Sequence, residues 1–230
     1  MSASSGRADL RGGVYAAQII LIAKAPVPGR VKTRLSPPCS PEQAARLAAA
    51  ALADTLAAIR STPVRRRVVA FDGNPQLADL RGLDVVQQRG AGLGERLAHA
   101  FADAAVGAGA GLPTLLIGMD TPQLTPALLT HAFDVLAGAD AALGPAPDGG
   151  WWALALRDPA YAAVLAGVPM SRVDTGERTE RALIGQGIRL ALLSEIPDVD
   201  TFADARLVAE QAPNSLFARE LAAVRSEVAA

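Results

Sequence analysis

Short apolar runs alternate with longer segments whose apolar residues recur every three to four positions. Gln18–Lys24 is β-branched and continuously apolar at its centre, the pattern of a buried strand. After a Pro/Gly-rich loop, Pro41 opens an Ala-rich helix to about Ile59, with Ser40 as its N-cap. Arg67–Phe71 and Asp84–Gln87 read as strands, and Leu93–Val106 as a helix with Leu93, Leu97, Ala100, Phe101 and Ala104 on one face. Thr114–Gly118 is another buried strand, followed by a helix over Thr125–Leu136 that Thr125 can cap. Asp140–Gly144 and Trp151–Leu156 are strands separated by Pro-Ala-Pro-Asp-Gly-Gly, a strong turn signal. Asp158–Ala166 and Thr175–Gly185 read as helices, Ile188–Leu193 as a strand, and Phe202–Glu210 and Ser215–Val228 as closing helices. Strands alternating with helices predict right-handed crossovers and a mostly parallel sheet, an α/β fold.

No internal repeat, long linker or second core interrupts this pattern, so residues 14–230 read as a single domain. Residues 1–13 are polar, small and Gly/Ser-rich, and read as a flexible tail. A signal peptide is the competing reading of the N-terminus: Arg7 and Arg11 precede apolar Val14–Ala23, and Ala23-Lys-Ala25 has the small-x-small look of a cleavage site. Asp9 in the would-be basic region favours a first strand instead. No apolar run approaches the roughly 20 residues of a membrane span.

Half of the 230 residues are apolar, enough for a sizeable core. Net charge is −1 and the sequence pI is about 6.1, which argues against a surface that coats nucleic acid. Cys39 is the only cysteine, so no intrachain disulfide can form; this fits a reducing cytoplasm.

Local charge is more telling. The chain has twenty arginines but only two lysines, Lys24 and Lys32, and both lie in Lys24-Ala-Pro-Val-Pro-Gly-Arg-Val-Lys-Thr-Arg34. No acidic residue occurs from Leu10 to Pro41. Compact ammonium groups act as point charges on phosphate oxygens, and arginines add planar, bidentate contacts. Four cations within eleven residues repel one another unless an anion neutralises them. Lys24, Arg30, Lys32 and Arg34, with backbone donors around Gly29, are therefore candidates for a phosphate grip. The alternative is a solvated basic loop. Neither the Walker spacing nor the dinucleotide Gly-x-Gly-x-x-Gly is present.

In an open parallel sheet, ligands bind beyond the carboxyl ends of the strands. The basic loop follows the first strand, Asp120 follows Thr114–Gly118, and Asp198 and Asp200 follow Ile188–Leu193. Asp120 in Gly118-Met-Asp-Thr-Pro122 is placed to hold Mg²⁺ (or Mn²⁺) beside a polyphosphate, with Asp200, and Asp198 as a possible helper, completing the metal shell. Helix capping is the alternative role for both Asp120 and Asp200. Asp148, in Asp148-Gly-Gly-Trp-Trp152, is the candidate acceptor-side carboxylate; the alternative is a plain glycine hairpin leading into core tryptophans. Arg89-Gly-Ala-Gly-Leu-Gly-Glu-Arg96 could present N–H groups of Gly92 and Gly94 to an anion or a base edge, or be an ordinary loop–helix junction. His99 and His131 stand apart from any second His or Cys, which leaves zinc and a Ser-His-Asp triad unsupported.

Four ordered motifs, Lys24-Ala-Pro-Val-Pro-Gly-Arg-Val-Lys-Thr-Arg-Leu35, Gly118-Met-Asp-Thr-Pro122, Gly144-Pro-Ala-Pro-Asp-Gly-Gly-Trp151 and Asp198-Val-Asp-Thr201, resemble the bacterial selenodomain-associated transferases. The resemblance runs from Gln18 to about Glu210. It implies a three-layer αβα sandwich with a mixed, mostly parallel sheet of the glycosyltransferase-A kind. The layout is also similar to the molybdenum-cofactor and phospholactate guanylyltransferases, the latter especially at Lys32-Thr-Arg-Leu35. By that similarity Asp120 and Asp200 match metal positions, and Lys24, Arg30, Lys32 and Arg34 match the triphosphate grip. Thr121 stands where Cys is common in the family and Trp151 where Tyr is common, and Met170–Arg178 is less regular than its Ser/Thr-rich segment.

The expected activity is Mg²⁺-dependent nucleotidyl transfer from a nucleoside triphosphate to a small anionic or sugar-phosphate acceptor, with Lys32, Arg34, Asp120 and Asp148 as catalytic candidates. Glycosyl transfer from a nucleotide-diphosphate sugar, with Asp148 as base, is the alternative. A non-catalytic nucleotide-binding module is the third reading.

Overall fold

The computed structural model describes residues 13–228; the tail expected at 1–13 lies outside these residues but for Gly13. Among the described residues there are seven strands: β1 (Tyr15–Lys24), β2 (Val64–Asp72), β3 (Asp84–Gln87), β4 (Thr114–Gly118), β5 (Ala141–Pro145), β6 (Trp151–Leu156) and β7 (Leu190–Leu192). The same residues form six α-helices: α1 (Pro41–Ser61), α2 (Leu93–Ala104), α3 (Pro126–Val135), α4 (Thr175–Ile184), α5 (Phe202–Gln211) and α6 (Leu216–Val228). The strands form one sheet in the order β3-β2-β1-β4-β6-β5-β7. Only β6 runs against the others, pairing antiparallel with both β4 and β5. The carboxyl ends of β1, β2, β3, β4, β5 and β7 therefore share one edge of the sheet.

Both faces are covered, as continuous apolar strands require. On β1 alternate residues diverge: Ile19, Leu21 and Ala23 pack with α1 and α3, while Ile20 packs with α2. Most of the apolar run Val14–Ala23 is thus an interior strand, between β2 and β4. The far side of α1 carries Ala44, Leu47 and Ala51 into a third cluster with α5 and α6.

Local signals decide the helix ends. Ser40 caps α1 by accepting from Gln43 N while Gln43 returns a bond to Ser40 N, and Thr125 caps α3 by accepting from Leu128 N. Each such cap contributes about 1 kcal/mol. Two expected elements differ. The segment expected as a helix over Asp158–Ala166 is a 3₁₀ run, Pro159–Gly167. Its buried residues, Pro159, Ala162 and Leu165, recur every third position, which matches three residues per turn. β7 is also shorter than Ile188–Leu193. It is an edge strand paired only with β5. Among the described residues no helix is long and apolar enough to cross a membrane.

Candidate functional site

Three segments meet over the carboxyl edge of the sheet. After β1 the chain turns through Pro28–Arg30 into Lys32, which adopts the left-handed conformation (φ 48°, ψ 38°). That conformation is costly for a residue with a Cβ and must be held by its surroundings. Here the side chain does the holding. Lys32 Nζ lies 2.9 Å from Asp120 Oδ2 and 3.7 Å from Asp200 Oδ1, and donates to the backbone carbonyl of Val199. Only 8% of the side chain is exposed. Arg34 Nη1 reaches Asp200 Oδ2 at 2.8 Å while staying 70% exposed.

The carboxylates belong here rather than to helix caps. Thr125, not Asp120, caps α3, and Thr201 caps α5 in a reciprocal pair with Asp204, leaving Asp200 free of that duty. Val199 N donates to Asp120 O at 3.0 Å, which fastens the late segment to the tip of β4.

A second acidic group adjoins the first. Carboxylate oxygens of Asp148, Asp198 and Asp200 lie within 4.8 Å of one another. Asp148 is placed by the tight turn between β5 and β6, where its Oδ1 accepts from Gly150 N at 2.8 Å. That turn depends on Gly149, at φ +84°. A Cβ there would stand 1.9 Å from the carbonyl oxygen of Val173. Gly149→Ala is therefore expected to lower stability by more than about 2 kcal/mol, through left-handed strain plus a backbone clash, as thermal or urea melts would read.

Burial raises the Asp198 carboxyl to about 6, and the charges of Asp200, Asp148 and Asp120 push the same way against the pull of Lys32. Its folded value lies above its unfolded one, near 3.8. The native state thus binds the extra proton between these values, and stability falls as pH rises from about 4 through about 6. Asp198→Asn removes that loss. In metal-free protein it is expected to stabilise by about 1–3 kcal/mol at pH 8 and by almost nothing at pH 4, read by melts at both pH values.

The sequence points to Asp120 and Asp200, with Asp198 as helper, for the metal shell. Among the described residues, the carboxylates whose oxygens lie within 4.8 Å of one another are those of Asp148, Asp198 and Asp200, while Asp120 pairs with Lys32. Three carboxylates supply hard oxygen donors, the set that suits Mg²⁺ or Mn²⁺. In the sequence, the signal for Asp198 is its Asp-x-Asp spacing with Asp200.

Among the cations, Lys24, Lys32 and Arg34 line one cleft with Met119, Asp120 and Asp200. Lys24 is exposed, and its ammonium has no hydrogen bond or ion pair among the described residues. Lys32 is already spent on acids and a carbonyl, so it organises the site more than it offers charge to a ligand. Gly29 (φ +73°) and exposed Arg30 form the outer turn of the loop and do not line the cleft. Gly92 is the exposed N-cap residue of α2. Gly94 is buried, and a Cβ there would meet Leu165 O at 2.3 Å. Packing of α2 on the 3₁₀ run thus explains Gly94 without a ligand.

A mixed seven-stranded sheet, with a basic first loop and carboxylates over one edge, has the glycosyltransferase-A-like architecture of transferases that work on nucleotides and nucleotide sugars. The chain belongs to the family described as "uncharacterized protein conserved in bacteria (DUF2064)", whose profile matches residues 47–172, more than half its length. Among solved structures it is similar to a Desulfovibrio desulfuricans G20 protein provisionally named a nucleotide-diphospho-sugar transferase. The TM-score is 0.78 and the identity 27%, over 92% of this chain and 95% of that one. It shares the fold of Rv0371c from Mycobacterium tuberculosis H37Rv, solved in complex with manganese (TM-score 0.53, 22% identity, 84% and 98% covered). It also shares that of 2-C-methyl-D-erythritol 4-phosphate cytidylyltransferase from Thermus thermophilus (TM-score 0.54, 16% identity, 86% and 99% covered). Among curated proteins, none matches the chain.

Proposed function

We propose that the protein is a divalent-metal-dependent nucleotidyltransferase that moves a nucleoside monophosphate from a triphosphate to a small anionic or sugar-phosphate acceptor. The observation that carries this reading is the meeting of Lys32 with Asp120 and Asp200 beside the Asp148–Asp198–Asp200 trio. The layout of the four sequence motifs, which is similar to that of the molybdenum-cofactor and phospholactate guanylyltransferases, supports it. So does the manganese complex of a protein with the same fold.

Lys24 and Arg34 face the cleft and offset the triphosphate charge, and Arg30 adds positive potential at its rim. Lys32 keeps Asp120 and Asp200 from repelling one another. Asp148, Asp198 and Asp200 would hold Mg²⁺ or Mn²⁺, which when bound neutralises phosphate oxygens. An acceptor phosphate or carboxylate is already ionised at pH 7. Its oxygen forms a bond to the α-phosphorus as the bond to the bridging oxygen breaks, and pyrophosphate leaves with the electron pair. No general base is needed; positioning and charge stabilisation supply the rate. Donor and acceptor are both small molecules, with no nucleic acid involved. Cys39 as a buried free thiol accords with a cytoplasmic location.

The name and similarity of the Desulfovibrio protein favour a second reading, glycosyl transfer from a nucleotide-diphosphate sugar. That reaction asks Asp148 to take a proton from an acceptor hydroxyl. A carboxylate committed to the acidic trio is poorly free for that work, which favours the first reading. The test is a panel of nucleoside triphosphates and nucleotide sugars, each with Mg²⁺ or Mn²⁺ and mixed sugar-phosphate and carboxylate acceptors. Pyrophosphate release is expected. Sugar transfer with free diphosphate would replace the first reading by the second.

A further inference from the structure

The turn after Asp120 contains two buried side-chain atoms, Thr121 Oγ1 and Gln123 Oε1, with no hydrogen-bond partner among the described residues. Orphaned buried polar atoms are unusual in a native fold, because each loses its water without gaining a partner. Gln123 bears that cost while its other amide atom makes a short, long-range bond: Nε2 donates to the carbonyl of Pro197 at 2.6 Å. Pro197 immediately precedes Asp198. On the other side of Asp198, Val199 N donates to Asp120 O at 3.0 Å, and the Val199 carbonyl accepts from Lys32 Nζ. Upstream, Ile196 N donates to Pro145 O at 3.2 Å, and Trp152 Nε1 donates to Ser194 O at 3.0 Å. The segment has left β7 and has not begun α5, so no regular structure fixes it. Side-chain and loop bonds do so instead, and they bracket a single residue.

We propose that Gln123 is a positioning residue: by fixing Pro197 it aims Asp198 at Asp148 and Asp200, so that the three carboxylates are preset for a divalent cation. This rests on the metal reading above and adds a residue that touches neither the ion nor the substrate. A carboxylate in an irregular, partly buried segment would otherwise swing away from its like-charged neighbours. The fixed carbonyl at 197 and amide at 199 deny it that relaxation. Groups that orient metal ligands in this way typically control affinity by about 10–100-fold.

The test titrates Mn²⁺ into the full chain, following free Mn²⁺ by its electron paramagnetic resonance signal. Gln123→Met keeps volume and removes both polar atoms. It is expected to raise the Mn²⁺ Kd about tenfold or more while leaving far-UV circular dichroism unchanged. Gln123→Asn stays polar, guarding against a folding defect, but is one methylene short of Pro197; it should match Gln123→Met. In an Asp198→Asn background, which already lacks the ligand Gln123 serves, Gln123→Met should change affinity less than twofold, because the two residues act as one unit. A merely structural glutamine would give the same fold loss in both backgrounds, and that outcome, or wild-type affinity in both single variants, overturns the inference. Failure of the wild-type chain to bind Mn²⁺ would instead remove the metal reading itself.

Discussion

Replacing Lys32 by alanine is expected to cut pyrophosphate release by about 10²–10³-fold, the cost of removing one preorganised charge from a transferase site. Lys32 is the cation at the centre of the cluster: it touches Asp120, approaches Asp200 and holds the carbonyl of Val199. Without it Asp120 and Asp200 lose the charge between them. Asp198 also loses the one influence that draws its proton affinity down, and so holds its proton more tightly at neutral pH. Lys32→Arg should not rescue. A planar guanidinium needs more room than an ammonium whose side chain is only 8% exposed, and it places its donors in a fixed fork. Steady-state assays with melts as a folding control read the result. Lys32→Ala with activity within threefold of wild type would contradict the assigned role.

Asp200→Asn is expected to raise the Mn²⁺ Kd at least tenfold and to lower turnover by about 100-fold. Asp200 alone belongs to both groupings, pairing with Lys32 and Arg34 on one side and joining Asp148 and Asp198 on the other. An amide keeps its shape but removes the charge that both sides use. The nearby Asp204→Asn is the contrast, because Asp204 only closes the cap of α5. It should cost about 1 kcal/mol of stability and leave turnover near wild type. Equal losses from the two variants would mean that the segment matters for folding alone.

Most of the fold was legible because its signals are local. Gln18–Lys24 reads as a buried strand from composition alone, and Ser40 and Thr125 announce their helices through capping chemistry. Asp158–Ala166 reads as a helix, but its 3₁₀ form over Pro159–Gly167 is not legible, since Ala-rich apolar sequence suits either helix and only the spacing of buried residues separates them. In the site, the grouping of Lys32, Asp120 and Asp200 followed from strand order. Their division of labour did not. That Lys32 is spent on acids, leaving Lys24 as the cleft's unengaged ammonium, depends on side-chain packing between residues over 80 positions apart. Asp148 reads as an acceptor-side carboxylate, and nothing in the turn Asp148-Gly-Gly150 reveals that its oxygens lie within 4.8 Å of those of Asp198 and Asp200. Gly94 shows the converse: a glycine that suggested ligand contact is required by helix packing.

The most direct test is anomalous diffraction from crystals grown with Mn²⁺ and a non-hydrolysable nucleoside triphosphate. The account predicts manganese among Asp148, Asp198 and Asp200, with the phosphate chain reaching Lys24 and Arg34 in the same cleft. Manganese bound away from these carboxylates, or phosphates lying on another face of the sheet, would contradict it.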